Sequence, residues 1–200
     1  MSGVLPKVYL VRHGETAWTL SGQHTGRTDI PLTERGEHAA RELGARLKGM
    51  SFTKVLTSPL QRARRTGELA GFDERMEPDP DLMEWDYGDY EGRRTLDIRA
   101  ERPGWRLFEH GCPGGETLVD VSTRLRMIFF AQSESPRETD CAKNITISAA
   151  FARSQPQGWR SVLPPDTRQQ GTSLTQPLRK RFGLLSELPR TLSFQLSQVV

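Results

Sequence analysis

Arg12 and His13 stand together at the end of a short apolar run, Val8-Tyr9-Leu10-Val11, and Gly14-Glu15-Thr16 follows at once. A neutral imidazole can attack phosphorus and carry the phosphoryl group covalently, provided its pKa stays low and fixed positive charge holds the anion. Arg12 meets both needs, because its charge disfavours imidazolium and its planar fork matches pairs of phosphate oxygens. Gly14 is expected to bring the backbone close to the ligand and to accept φ > 0. A structural histidine at a strand end is the ordinary alternative for an isolated Arg-His pair. The decision therefore falls to other segments.

The first is Lys54 to Thr66. Val55 and Leu56 predict a second strand, and Ser58 as N-cap with Pro59 at the first helical position predicts a helix directly after it. Arg62 then falls in the first turn, where backbone N–H groups, the positive end of the helix dipole and a guanidinium can converge on one anion. Arg64 and Arg65 point elsewhere and are expected to be solvated. The second segment is the acidic stretch from Asp79 to Gly92. Phosphoryl transfer to histidine needs a proton for the leaving oxygen, and the following hydrolysis needs a base for water, so one carboxyl group can serve both steps. Glu84, between Met83 and Trp85, is the candidate, since apolar neighbours raise a carboxyl pKa. An exposed acidic loop is the plainer reading of that stretch alone.

These residues need a scaffold that brings strand ends and helix starts together. Ala39, Leu43 and Leu47 mark one face of a helix with Thr33 as N-cap, Asp97–Glu101 predicts a short helix that stops before Pro103, and Leu118, Val121, Leu125 and Ile128-Phe129 mark another helical face. Strands alternating with helices predict an α/β fold, a three-layer sandwich whose mostly parallel sheet carries helices on both faces. In such sheets ligands bind at the carboxyl ends of the strands, where Arg12 and His13 stand. Trp18, Trp85 and Trp105 are read as packing residues. Gly111 to Gly115 is read as a turn. Glu116 is read either as a pocket-rim residue or as a carboxylate favouring a helix dipole.

Taken together, Leu10-Val11-Arg12-His13-Gly14-Glu15-Thr16, Ser58-Pro59-Leu60-Gln61-Arg62-Ala63, Glu84 to Gly92 and Gly114-Gly115-Glu116-Thr117 resemble the histidine phosphatase superfamily, also called phosphoglycerate-mutase-like, in order and spacing. The resemblance covers residues 7 to 125. It implies His13 as phosphorylated nucleophile, Glu84 as proton donor, and Arg12 and Arg62 as phosphate clamps. Gln23-His24-Thr25-Gly26 matches the family's substrate-contacting loop, which adds His24, Thr25 and Tyr87 as binding residues. The surroundings of Glu84 and the later His110-Gly111-Cys112 look most like the small sugar-phosphate phosphatases, the sedoheptulose-bisphosphatase type. The implied activity is hydrolysis of a small phosphate monoester, a sugar phosphate, through phosphohistidine. The alternatives are a catalytically weak phosphate-binding pseudoenzyme and a phosphoglycerate-mutase-type phosphotransferase.

The chain departs from the family pattern in one place. The family uses a second histidine at the end of a later strand, whereas the four histidines here are His13, His24, His38 and His110. The matching segment, Asn144-Ile145-Thr146-Ile147-Ser148-Ala149-Ala150, reads as a strand, with alanines where imidazole is expected. Loss of one preorganised donor to a developing oxyanion typically lowers a rate about 10²–10³-fold. Charge shifts at the same region, from net −3 over residues 1–140 to net +6 over 141–200. The expected organisation is an incomplete histidine phosphatase domain over 1–140 and a basic, irregular tail over 141–200. A reading-frame change near 125–143 is the favoured account of that tail. A native basic tail and a true pseudoenzyme are the others.

The bulk properties suit one soluble domain: 200 residues, 35% hydrophobic and 26% charged. The N-terminus carries no signal-like segment, and the longest apolar runs are too short to span a bilayer. Cys112 and Cys141 form no metal or redox spacing. The expectations are a cytoplasmic protein without metal or cofactor, a small phosphorylated molecule as its partner, and no nucleic acid or membrane.

Overall fold

The computed structural model describes residues 7–133, 144–148 and 193–197, with side chains described from residue 8 to residue 126. Five strands form one sheet: β1 (Lys7–Val11), β2 (Lys54–Thr57), β3 (Met76–Pro78), β4 (Asn144–Ser148) and β5 (Ser193–Ser197). Their order is β3-β2-β4-β1-β5, and all four pairings are parallel. The helices are α1 (Ala17–Ser21), α2 (Glu34–Leu47), α3 (Gln61–Leu69), α4 (Thr95–Glu101), α5 (Leu107–His110) and α6 (Leu118–Ser133).

Alternation along β1 builds the layers. Tyr9 and Val11 pack with Leu43 and Leu47 of α2, Phe52, Val55 and Phe72, whereas Val8 and Leu10 pack on the other side with Ile98 of α4, Leu107 of α5, and Val121 and Leu125 of α6. A strand with apolar side chains on both faces reads as a continuous hydrophobic run, which is why β1 and β2 are visible in the sequence. The expected three-layer α/β sandwich with a parallel sheet is the architecture found.

The helix expectations hold with shifts of a residue or two. Thr33 caps α2, its side chain accepting from Gly36 N at 3.1 Å, and the buried stripe runs through Gly36, Ala40, Leu43 and Leu47. Ala40 takes the deep position expected of Ala39, which is only partly buried. In α3 the N-cap is Leu60 rather than Ser58, so Pro59 precedes the helix. Strand β3 carries no sequence signal beyond a three-residue edge pairing with β2. Strands β4 and β5 flank β1 and come from the stretch beyond residue 141, the first of them at the segment predicted as a strand. Among the described residues no helix is long and apolar enough to cross a membrane.

Gly14 serves packing rather than ligand approach. Its backbone lies against the backbone of Gly36 at the start of α2, a Cβ there would overlap the Gly36 carbonyl, and its φ is not positive. Two facing glycines thus let α2 sit directly on the loop that carries His13.

Candidate active site

His13 leaves the end of β1 and is buried, 4% exposed. Its Nδ1 stands 2.7 Å from the Gly14 carbonyl oxygen. A carbonyl only accepts, so Nδ1 carries the proton and Nε2 keeps its lone pair. Burial first, then the charges of Arg12 and Arg62, bring the imidazole down to about 3, so it is neutral near pH 7. A buried, neutral imidazole with a fixed tautomer can attack an electrophile without a general base.

Glu84 lies after a short helical turn, Pro80–Leu82, on a stretch with neither helix nor strand. It is 6% exposed, and burial raises its carboxyl to about 8 against the opposing pull of the Trp85 N–H and of Arg12, Arg62 and Arg124. The carboxyl is therefore a protonated acid at neutral pH. The Trp85 N–H donates to Oε1 at 2.9 Å, which orients the group. The neighbours Met83 and Trp85 carried this signal in the sequence.

One narrow cavity of about 40 Å³ brings together Arg12, His13, His24, Thr25, Glu84 and Tyr87. These six sequence candidates thus share a wall although they come from three separate segments. His24 is buried and lowered to about 4 by desolvation, its ring 4.5 Å from that of Tyr87 and edge-on to Trp105. Burial, with Glu84 adding to it, pushes the Tyr87 hydroxyl up, so both rings are neutral and act as packing and hydrogen-bonding walls.

Arg62, the seventh candidate, is fully buried and sits behind this wall. Its Nη1 donates to Thr28 O at 2.9 Å, and its Nη2 donates to Gly26 O at 2.7 Å and Thr25 O at 3.4 Å. Its Nε is buried and has no partner among the described residues. Arg62 thus holds the 25–28 loop in place and projects charge onto His13 and Glu84. The expected open helix terminus is not there, because Asp29 Oδ1 accepts from the Gln61 N–H at 2.8 Å and caps α3 from outside. Arg64 and Arg65 are exposed, and Arg65 pairs with Glu37 and Glu68.

Four further residues line the cavity: Gln23, from the matched loop, and Thr19, Gly22 and Thr95, which no motif announced. Thr95 Oγ1 lies 3.2 Å from His24 Nε2, and the pairing of Gln23 with Arg94 brings α4 to the rim. Only contact through the fold reveals Thr95. Glu116 does not line the cavity, although it lies just before α6 as the dipole reading expects. It is bound by Arg124, while Asp120 accepts from the Thr117 N–H at 2.8 Å. His38 is exposed beside Glu42 and His110 bonds the Arg106 backbone; neither lines the cavity. A larger cavity of about 380 Å³, beside Asp29 and Gln61, holds none of the seven candidates. Among the described residues no cluster of His, Cys, Asp and Glu could hold a metal ion.

The sequence profile of the histidine phosphatase superfamily (branch 1) matches residues 8–143. An acid phosphatase of Mycobacterium tuberculosis is 43% identical over 121 residues, covering 59% of each chain. The sedoheptulose 1,7-bisphosphatase of Saccharomyces cerevisiae is 38% identical over 149 residues, covering 62% of this chain and 55% of its own. The solved α-ribazole phosphatase of Shigella flexneri superposes with a TM-score of 0.62 at 31% identity, over 71% of this chain and 72% of that one. Proteins named as probable phosphoglycerate mutases match at a comparable level. The chain thus spans less than two thirds of the length of the curated relatives it matches.

Proposed function

Because the chain belongs to the histidine phosphatase superfamily, branch 1, we propose that it hydrolyses a small phosphate monoester through a phosphohistidine intermediate. The observation that carries this reading is the opposed perturbation of two groups in one cavity: His13 held neutral and Glu84 held protonated, beside guanidinium charge. Pairs of titratable groups driven apart in this way mark acid and base assignments.

In the first step His13 Nε2 attacks phosphorus, the bond to the ester oxygen breaks, and Glu84 gives that oxygen its proton. Arg12, which lines the cavity, serves the non-bridging oxygens, where charge accumulates, and Arg62 adds its charge from outside the lining. In the second step the Glu84 carboxylate takes a proton from water, the water oxygen bonds phosphorus, and the phosphorus–nitrogen bond breaks. Phosphate leaves, His13 is neutral again and Glu84 is again protonated. Because Nδ1 is committed to the Gly14 carbonyl, the adduct forms at Nε2.

The polar side chains of Thr25 and Thr95 among the lining residues are compatible with a hydroxylated substrate such as a sugar phosphate. The relative named as a sedoheptulose bisphosphatase supports the same class. The second reading, a phosphate-binding protein with little turnover, draws on Ala149-Ala150 at the place of the second histidine and on a cavity lined by His13 and His24 alone among the histidines. Incubation with a sugar phosphate should leave acid-labile phosphate on His13, absent from His13→Ala, with inorganic phosphate accumulating over many turnovers. Binding of phosphate without any His13 adduct would overturn the proposed function in favour of the second reading.

A further inference from the structure

Glu84 needs a fixed position although no helix or strand provides one. What holds its segment is a pair of residues outside the cavity, Arg124 on α6 and Glu116 just before it. Arg124 Nη1 donates to Asp81 O at 2.6 Å and to Met83 O at 2.7 Å, and Nη2 reaches Glu84 O at 3.3 Å. The same guanidinium meets Glu116 side on, Nε to Oε1 at 2.8 Å and Nη2 to Oε2 at 3.0 Å. Glu116 then completes the hold: its Oε2 accepts from Asp86 N at 2.9 Å, its N–H donates to Asp86 O at 2.9 Å, and its carbonyl accepts from Trp85 Nε1 at 2.8 Å. Residues 81 and 83 to 86 are therefore all tied to two partners, Arg124 and Glu116. Both side chains are 14% exposed, where a bidentate pair is little screened.

We propose that Arg124, seated on Glu116, is the positioning residue that fixes the Glu84 carboxyl against the leaving oxygen. This rests on the reading of Glu84 as proton donor. Lysine keeps the charge and loses the fork that reaches three carbonyls and a carboxylate together, so the device depends on geometry that only arginine supplies. A misplacement of about 1 Å at a reacting group lowers a rate on the order of 10²-fold.

The test compares two esters in single-turnover phosphorylation of His13. Nitrophenolate leaves without a proton, whereas the alkoxide of glycerol 3-phosphate does not. Arg124→Lys and Arg124→Met are expected to slow phosphorylation by glycerol 3-phosphate about 10²-fold, while phosphorylation by p-nitrophenyl phosphate changes little. Glu116→Gln should show the same split at about tenfold, because one acceptor oxygen and the charge are lost. Glu84→Gln should show the widest split, about 10²–10⁴-fold, as removal of a general acid does. The nitrophenyl ester reports folding within each variant. Equal losses on both esters in Arg124→Lys and Glu116→Gln, or no loss on either, would overturn the positioning role while the phosphatase reading stands. No split in Glu84→Gln would remove the proton donor and this inference with it, and a wild-type chain phosphorylated by neither ester would defeat both.

Discussion

Replacement of Glu84 by glutamine tests the buried acid without requiring turnover. The carboxyl is 6% exposed and raised by burial from the usual 4.5 to about 8. Between those values the folded protein holds a proton that the unfolded chain releases. The stability from Glu84 is thus fully present below pH 4.5 and declines as pH rises through about 8. At about 1.4 kcal/mol per pH unit the window amounts to about 4 to 5 kcal/mol, and water entry and loop relaxation lower the expected effect to about 3 kcal/mol. For a chain of this length that is roughly 10 °C of melting temperature. The glutamine side chain does not titrate, so the variant has no such window. The assay is thermal or urea unfolding of both proteins from pH 5 to pH 9, read as the difference between them. His13 and His24, with pKa values depressed by burial, act in the opposite sense, stabilising above about 6.5 and losing that contribution as pH falls. They are common to both proteins and largely cancel in the difference. Wild type should lose stability relative to Glu84→Gln as pH rises from 5 to 9. A difference that stays constant would mean that Glu84 is ionised throughout, and the proton-donor assignment would fail.

Phosphorylation of His13 by an alkyl phosphate should fall tenfold per unit above about pH 8, with that limb absent in Glu84→Gln; the same limb in both proteins would show that Glu84 does not supply the proton. Arg62→Met leaves the carbonyls of Thr25, Gly26 and Thr28 without their donor, so unfolding should become easier by about 3 kcal/mol, alongside weaker phosphate binding by calorimetry. Gly26→Ala forces a Cβ into the Trp85 carbonyl and the Glu91 side chain, so it should lower the melting temperature and weaken phosphate binding together. Unchanged binding there would separate the 25–28 loop from the site.

The parts legible in the sequence were those written in local pattern. The β1 and β2 runs, the Thr33 cap and the stripes on α2 and α6 each state their own geometry over a few residues. The Glu84 environment was legible for the same reason, since Met83 and Trp85 are adjacent to it. What was missed depends on partners distant in the chain. Asp29 caps α3 across 32 residues, which removed the anion site expected at that helix terminus. Arg62 turned inward to carbonyls of the 25–28 loop, and no pattern around position 62 records that. Thr95 enters the cavity only because Gln23 pairs with Arg94. The partners of Glu116 were not legible because Arg124 lies eight positions on and its other partners lie 30 or more residues back.

Strand β1, which ends beside the nucleophile, makes its described sheet pairings with β4 and β5 and with no strand from the first 140 residues. Synthesis must therefore run past residue 148 before the strand bearing the reactive imidazole gains its inner neighbour, and past residue 197 before it gains its outer one. Until then the nascent polypeptide exposes a bare ladder edge in an apolar segment, a template for pairing with other chains. The reactive centre is therefore complete only once strands that lie more than 130 residues further along the chain have joined the sheet.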